Sequence, residues 1–212
     1  MKSPQAERDR ERLIAAILPD VAFDGWTTRA LRGAAQRIDM APAEARALFP
    51  LGAGDLVTAF SRWADRQMLE RLAAGADEPG GLSRRVALAL RLRFEVLLPW
   101  REAVRRGLSV LAMPQNAPLS LLLVYETVDA VWYGVGDTAT DFSFYTKRMT
   151  LAALHTAATL YWLEDRSPDF ADTQAFIDRR LADLHRLTGL RQRAVAAAEA
   201  MPNPFRLLRP SR

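Results

Sequence analysis

Apolar residues recur at three-and-four spacing along almost the whole chain, a period that predicts helices rather than strands. Nowhere do β-branched residues alternate with polar ones between turn signals. Ser3-Pro4 opens a first helix with Leu13, Ile14, Ile17 and Leu18 on its buried side and Pro19 following. Asp24-Gly25 reads as a turn, and Thr27 or Thr28 as the cap of a short second helix. A third short helix spans Ala41 to Phe49, opened by Pro42 and stopped by Pro50. After Gly52–Gly54 a longer helix places Leu56, Val57, Phe60, Trp63, Ala64 and Met68 on one face. Gly75 to Gly81 is the clearest loop. Ser83 to Leu97 reads as a helix that Pro99 breaks or kinks, and Trp100 to Leu111 continues it. Asn116-Ala-Pro118 restarts a helix that runs to about Gly134, a loop with two glycines reaches Asp141, and one long helix runs from Phe142 to Leu163. Ser167-Pro168-Asp169 has the composition of a helix start: a Ser cap, Pro in the first turn and an acid near the positive end of the dipole. The last helix runs to about Ala200, where Pro202 and Pro204 end it. The prediction is an all-α fold of about nine or ten helices. It divides into a helix-turn-helix-like unit over 1–50, a helical domain over 51–200 and a basic apolar tail over 201–212.

Composition narrows the chemistry. The 212 residues are 50% hydrophobic, enough for one domain with a real core. The absence of cysteine excludes disulfides, thiolate zinc sites and a cysteine nucleophile. With only two histidines, His155 and His185, a three-His zinc site is excluded as well. The net charge is +4, and the excess is uneven. Residues 84–106 carry Arg84, Arg85, Arg91, Arg93, Arg101, Arg105 and Arg106 against Glu95 and Glu102, and over 186–212 six arginines face Glu199 alone. A basic tail suits a phosphate-rich partner, either a membrane surface or a nucleic acid. The longest uncharged run, Gly107 to Tyr125, is broken by Pro114 and Pro118 and makes a poor spanning helix. The first residues hold no apolar leader-like run. The expected location is cytoplasmic, peripheral at the inner face of a bacterial cytoplasmic membrane.

Two patterns invite a functional reading. Phe23, Gly25, Trp26, Thr27, Thr28, Leu31 and Phe49 resemble the N-terminal pattern of TetR-type regulators. The helix that would read a groove, however, offers only Arg46 and Glu44 and no Lys, Asn, Gln, Ser, Thr or Tyr. A DNA reader needs several phosphate and base contacts, so no nucleic-acid partner is expected. A TetR-type regulator with a lipid inducer is the alternative function. The second pattern is a set of acids, Asp129, Asp137 and Asp141, around a glycine loop. Ala152 and Ala182, not Glu, stand three residues before the two histidines, which excludes the usual di-iron bundle signature. The acids are read as caps and loop hydrogen bonds, with no metal, cofactor or catalytic residue.

A larger block carries a resemblance. Trp132–Arg148 contains Gly136-Asp-Thr, Asp141-Phe142 and Tyr145-Thr-Lys-Arg148. Pro114-Gln-Asn-Ala-Pro118 precedes it; Asp165-Arg-Ser-Pro-Asp169-Phe170, Thr173, Phe176, Asp178 and Arg179-Arg180 follow. With Phe23-Asp24-Gly25-Trp26 and Leu48-Phe49-Pro50, this pattern resembles the ubiquinone (coenzyme Q) biosynthesis accessory family of the ninth Coq protein, over about residues 12–185. The resemblance implies a TetR-like fold without regulator activity and without enzymatic activity of its own. It implies an apolar pocket for isoprenoid quinone intermediates or phospholipid, presentation of that ligand to a di-iron demethoxy-quinone hydroxylase, and membrane contact through the C-terminal helix. Carried onto this chain, the hydroxylase-docking patch is Asp141, Phe144 and Tyr145 with Val131. Phe144 stands where family members can have Trp and so lacks the indole N–H donor.

The residues fit these implications. Leu151, Leu154, Ala158 and Trp162 form one stripe, and Leu121, Leu122, Val124, Tyr125 and Trp132 another apolar surface. The expected lipid contacts are Leu121, Leu122, Trp132, Met149 and Leu154. His155 is read as a satisfied polar group of the core or pocket edge. Phe205, Arg206, Leu207, Leu208 and Arg209 are the expected membrane contacts. TetR-like folds often dimerise, which leaves a homodimer open.

Overall fold

The computed structural model describes residues 4–75, 81–136 and 142–200; the side chains of 142–144, 185 and 187–200 lie outside that description. The described chain is helical, with no strand. α1 (Pro4–Asp24) runs through Pro19 and ends at Gly25, whose φ of 69° suits a residue without a Cβ. α2 (Thr28–Arg37) is capped by Thr27, whose hydroxyl accepts from the Ala30 N–H at 3.2 Å. α3 (Pro42–Leu48) is short, and α4 (Ala53–Ala74) is the long helix that follows it. α5 (Leu82–Leu97) passes through a single 3₁₀ turn at Leu98–Trp100 into α6 (Arg101–Leu111), so Pro99 bends the path without ending it. α7 (Ala117–Gly134), α8 (Phe142–Glu164) and α9 (Ala171–Ala200) complete the bundle.

α4 is the hub. It packs on α5 and α7 on one side and on α1 and α6 on the other. The expected stripe is buried at Leu56, Val57, Phe60, Ala64 and Met68, while Trp63 is half-buried. The N-terminal unit is fastened to this hub. The Trp26 indole donates to the Ala103 carbonyl at 3.0 Å, and its ring lies 5.1 Å from that of Phe60. Gly107 lies beside this contact, where a Cβ would stand at the ordinary van der Waals distances of 3.5 Å from Trp26 Nε1 and 3.6 Å from Val57.

Among the described residues one ion pair has both side chains buried. Arg93 of α5 donates through Nε to Asp65 of α4 at 2.7 Å, and both side chains are buried. Arg93 Nη2 also reaches the hydroxyls of Ser61 and Thr127, and Thr127 in turn donates to Asp65 at 3.1 Å. Most of the other arginines of 84–106 are also spent within the fold. Arg91 pairs with Glu95, Arg105 with Glu164 and Glu102, and Arg106 with Glu102; Arg101 donates to the Asp165 carbonyl and lies over the Trp162 ring.

Removing one member of a buried pair strands the other charge. Asp65→Leu and Arg93→Leu are each expected to lower stability by about 3–5 kcal/mol in urea unfolding, and the double Asp65→Leu/Arg93→Leu variant by clearly less than either single one. Additive losses would contradict this reading of the pair.

Candidate functional site

A large cavity opens between α5, α7, α8 and α9 and holds about 830 Å³. Ligand sites commonly span about 300–1,000 Å³. Its walls are Val86 and Ala87 from α5, Trp132 from α7, Leu151 and Leu154 from α8, and Leu181 and Leu184 from α9. Arg84, Lys147 and Asp178 add charge to the otherwise apolar lining, and the Lys147 ammonium stands 5.6 Å from the Trp132 ring centroid. The cavity is thus largely apolar, with a few charged groups in its lining. Among the described residues no group of three acids or histidines is placed to hold a metal.

α9 forms one wall, and its placement depends on Asp165. This buried carboxylate accepts from the Ser167 N–H (2.8 Å) and hydroxyl (2.6 Å) and from the Thr173 N–H (2.8 Å) and hydroxyl (2.5 Å). Burial pushes its pKa up, but these four hydrogen bonds outweigh burial and hold it at about 2. The expected helix start at Ser167-Pro168-Asp169 is corrected accordingly. Asp169 and Phe170 have φ of 49° and 47°, outside right-handed helical geometry, so the chain turns through Pro168–Phe170 and α9 begins at Ala171. Asp165 and Ser167 then supply the acceptors for its first N–H groups. Tyr161 and Phe176 stack 5.1 Å apart and hold α9 on α8.

The expected site residues separate. Trp132 and Leu154 line the cavity. Leu121, Leu122 and Met149 do not; they are exposed on the outer face of α7 and α8, Met149 at 72%. α7 is apolar nearly all round, so hydrophobicity did not show which side it buries, whereas the fold buries Leu123, Thr127, Val128, Val131 and Trp132. Val131, expected to dock a partner, is fully buried and unavailable for docking in this conformation. Tyr145 is 68% exposed and shares the outer surface with Tyr133 at 80%. Asp129 is not a cap: it lies inside α7 and accepts from Arg148 Nε (3.0 Å) and Nη2 (2.7 Å), joining α7 to α8. Asp137, Asp141, the Phe144 side chain and the tail residues Phe205, Arg206, Leu207, Leu208 and Arg209 lie outside the described residues. His155 is buried as expected but not satisfied, because its Nδ1 meets no hydrogen-bond partner among the described residues. Burial, with the nearby Arg93 charge, lowers its pKa to about 3, so the imidazole is neutral.

Comparison with known proteins places these elements. The COQ9 family model matches residues 117–188, which carry α7, α8 and the cavity-lining part of α9. The ubiquinone biosynthesis protein COQ9-B, mitochondrial, of Xenopus laevis is 30% identical over 202 residues, covering 92% of this chain and 69% of that protein. The chain belongs to the COQ9 family. The COQ9 protein of Rattus norvegicus is 31% identical over 202 residues, and that of Homo sapiens 30%. The chain spans 64% of the rat relative's length and 63% of the human one's. A TetR transcriptional regulator from Nitrosomonas europaea superposes with a TM-score of 0.65 at 20% identity, covering 82% of this chain and 97% of that one. The fold expected of the family, all-α and TetR-like, is the fold observed.

Asp165 gives the site a pH signature. Its depressed pKa contributes stability that is complete above the ordinary carboxylate value of 3.8 and is lost as pH falls through about 2. Asp165→Asn is therefore expected to lower the thermal midpoint at pH 7, with the gap to the parent chain narrowing as pH falls from 4 towards 2. A gap independent of pH would show that the carboxylate charge is not what holds α9.

Proposed function

We propose that the chain is an accessory protein of ubiquinone biosynthesis that shelters the polyprenyl tail of a quinone intermediate and offers its ring to a di-iron demethoxy-quinone hydroxylase. The observation that carries this reading is the 830 Å³ apolar cavity, three of whose four walls, α7, α8 and α9, lie in the segment that matches the family. Each buried methylene of a tail contributes about 0.8 kcal/mol, so the slot can supply useful affinity without any reacting group. Lys147 and Arg84 suit a polar ring or a headgroup left at the opening. The relatives are named as mitochondrial ubiquinone biosynthesis proteins, which supports work beside a membrane. No single described helix is long and apolar enough to cross one. The regulator reading finds less support, since α3 still presents only Arg46 as a base.

Leu151→Trp and Leu181→Trp fill the cavity from opposite walls. Each is expected to weaken binding of a polyprenyl quinone in tryptophan-quenching titrations by about tenfold or more, the worth of about two methylenes. Unchanged affinity in both would overturn the tail site. On the outer face, Tyr145→Ala is expected to keep the helical circular-dichroism spectrum and to weaken hydroxylase binding in calorimetry by about tenfold, as loss of an aromatic anchor does. Equal affinity would remove Tyr145 from the docking surface.

A further inference from the structure

The four walls of the tail cavity are not equally fixed. Val86 of α5, Trp132 of α7 and Leu151 and Leu154 of α8 are buried. α9 contributes Asp178, Leu181, Ala182 and Leu184, and none of these is buried. The buried residues of α9, Thr173 and Ile177, belong to its first two turns, as does Phe176, which stacks on Tyr161. From Asp178 to Leu184 the helix borders the cavity without one buried residue. A segment with so little buried surface opens at low cost in free energy.

The seam between α9 and α5 is thin. A groove of about 250 Å³ lies between the same two helices, lined by Leu88 and Arg91 of α5 and by Gln174 and Ile177 of α9. Arg84, Ala87 and Asp178 line both the groove and the cavity, so these three residues stand between the two spaces. Arg84 and Asp178 carry opposite charges, yet among the described residues they form no ion pair with each other. No ionic contact between them locks the seam.

The base of α9, by contrast, is held in a strained turn. Asp169 and Phe170 have φ of 49° and 47°, in the left-handed region, and Phe170 is a buried ring 6.5 Å from that of Phe94. A bulky residue rarely adopts this conformation. Such strain persists only where the surroundings impose it, and it gathers at clamps and switch segments. Here the Asp165 cluster holds the turn, and the Gln174 amide donates to the Asp169 carbonyl at 2.9 Å. An anchored turn at the end of an element, followed by a weakly seated helix, is the arrangement of a hinge.

We propose that α9 beyond Ile177 is the moving wall of the tail cavity: it swings on the turn at Asp169 and Phe170, parts from α5 at Arg84, Ala87 and Asp178, and admits the polyprenyl tail sideways. A long apolar tail is then laid in along its length instead of being threaded from one end, and Leu181 and Leu184 close on it. The inference rests on the tail-site reading and adds the route into that site.

The chain has no cysteine, so one engineered pair can be bridged without background. The test places Ala87→Cys and Asp178→Cys in the full chain and links them, after folding, with a short bismaleimide that a reductant cleaves. Uptake and release of a polyprenyl quinone are followed by stopped-flow tryptophan quenching. The bridged chain is expected to take up and release the quinone about tenfold or more slowly, because the wall cannot part. Its Kd is expected to stay within about threefold, since uptake and release slow together. Cleavage leaves both modifications in place without the bridge and is expected to restore the rates. Equal rates before and after cleavage would overturn the moving wall. Failure of the two cysteines to bridge would overturn it as well, since a narrow seam is its premise. A parent chain that binds no polyprenyl quinone would instead remove the tail site, and the moving wall with it.

Discussion

The Arg93–Asp65 pair constrains everything built around it. A guanidinium and a carboxylate taken out of water must meet each other and fill their remaining hydrogen-bonding capacity, or the fold loses several kcal/mol. Meeting that demand brings α4, α5 and, through Thr127, α7 into one register. The pair also places a cation beside His155, which with burial keeps that imidazole neutral. Polar chemistry at the centre of the bundle is thereby fixed but uncharged in sum.

α8 lines two spaces, the large apolar cavity through Leu151 and Leu154 and a smaller recess among α4–α8 through His155 and Thr159. Its position is secured at both ends by charge: Arg148 to Asp129 of α7 near the start, and Arg105 of α6 to Glu164 at the finish. Beyond it, Asp165 gathers four hydrogen bonds and starts α9, the far wall of the large cavity, which Tyr161 and Phe176 also hold on α8. The Asp-Arg-Ser-Pro-Asp-Phe segment is thus a structural joint.

Much of the fold was legible because proline, glycine and Thr27 punctuate it. Local signals of that kind fix helix ends whatever the tertiary packing. The central pair was not foreseen, since Asp65 and Arg93 lie 28 residues apart and only the fold brings them together. A signal was nonetheless present. Asp65 follows Ala64 and precedes Met68 on a buried stripe, and Arg93 interrupts the apolar face formed by Val86, Ala89, Leu90 and Leu97. A charge on such a face calls for a buried partner. The cavity was half legible. Leu154 of α8 and Trp132 of α7 do line it, whereas Leu121 and Leu122 misled because α7 is apolar on its exposed side as well.

The TetR-like scaffold fastens its N-terminal unit through Trp26, and α3 carries Arg46 as its one base. The central claim is that the large cavity holds a lipid. Native mass spectrometry of the purified chain, followed by organic extraction, tests it most directly. The account predicts a one-to-one adduct whose extract contains a polyprenyl quinone, a related isoprenoid or a phospholipid. A chain that is purified empty and stays empty after incubation with quinone-loaded vesicles would contradict it.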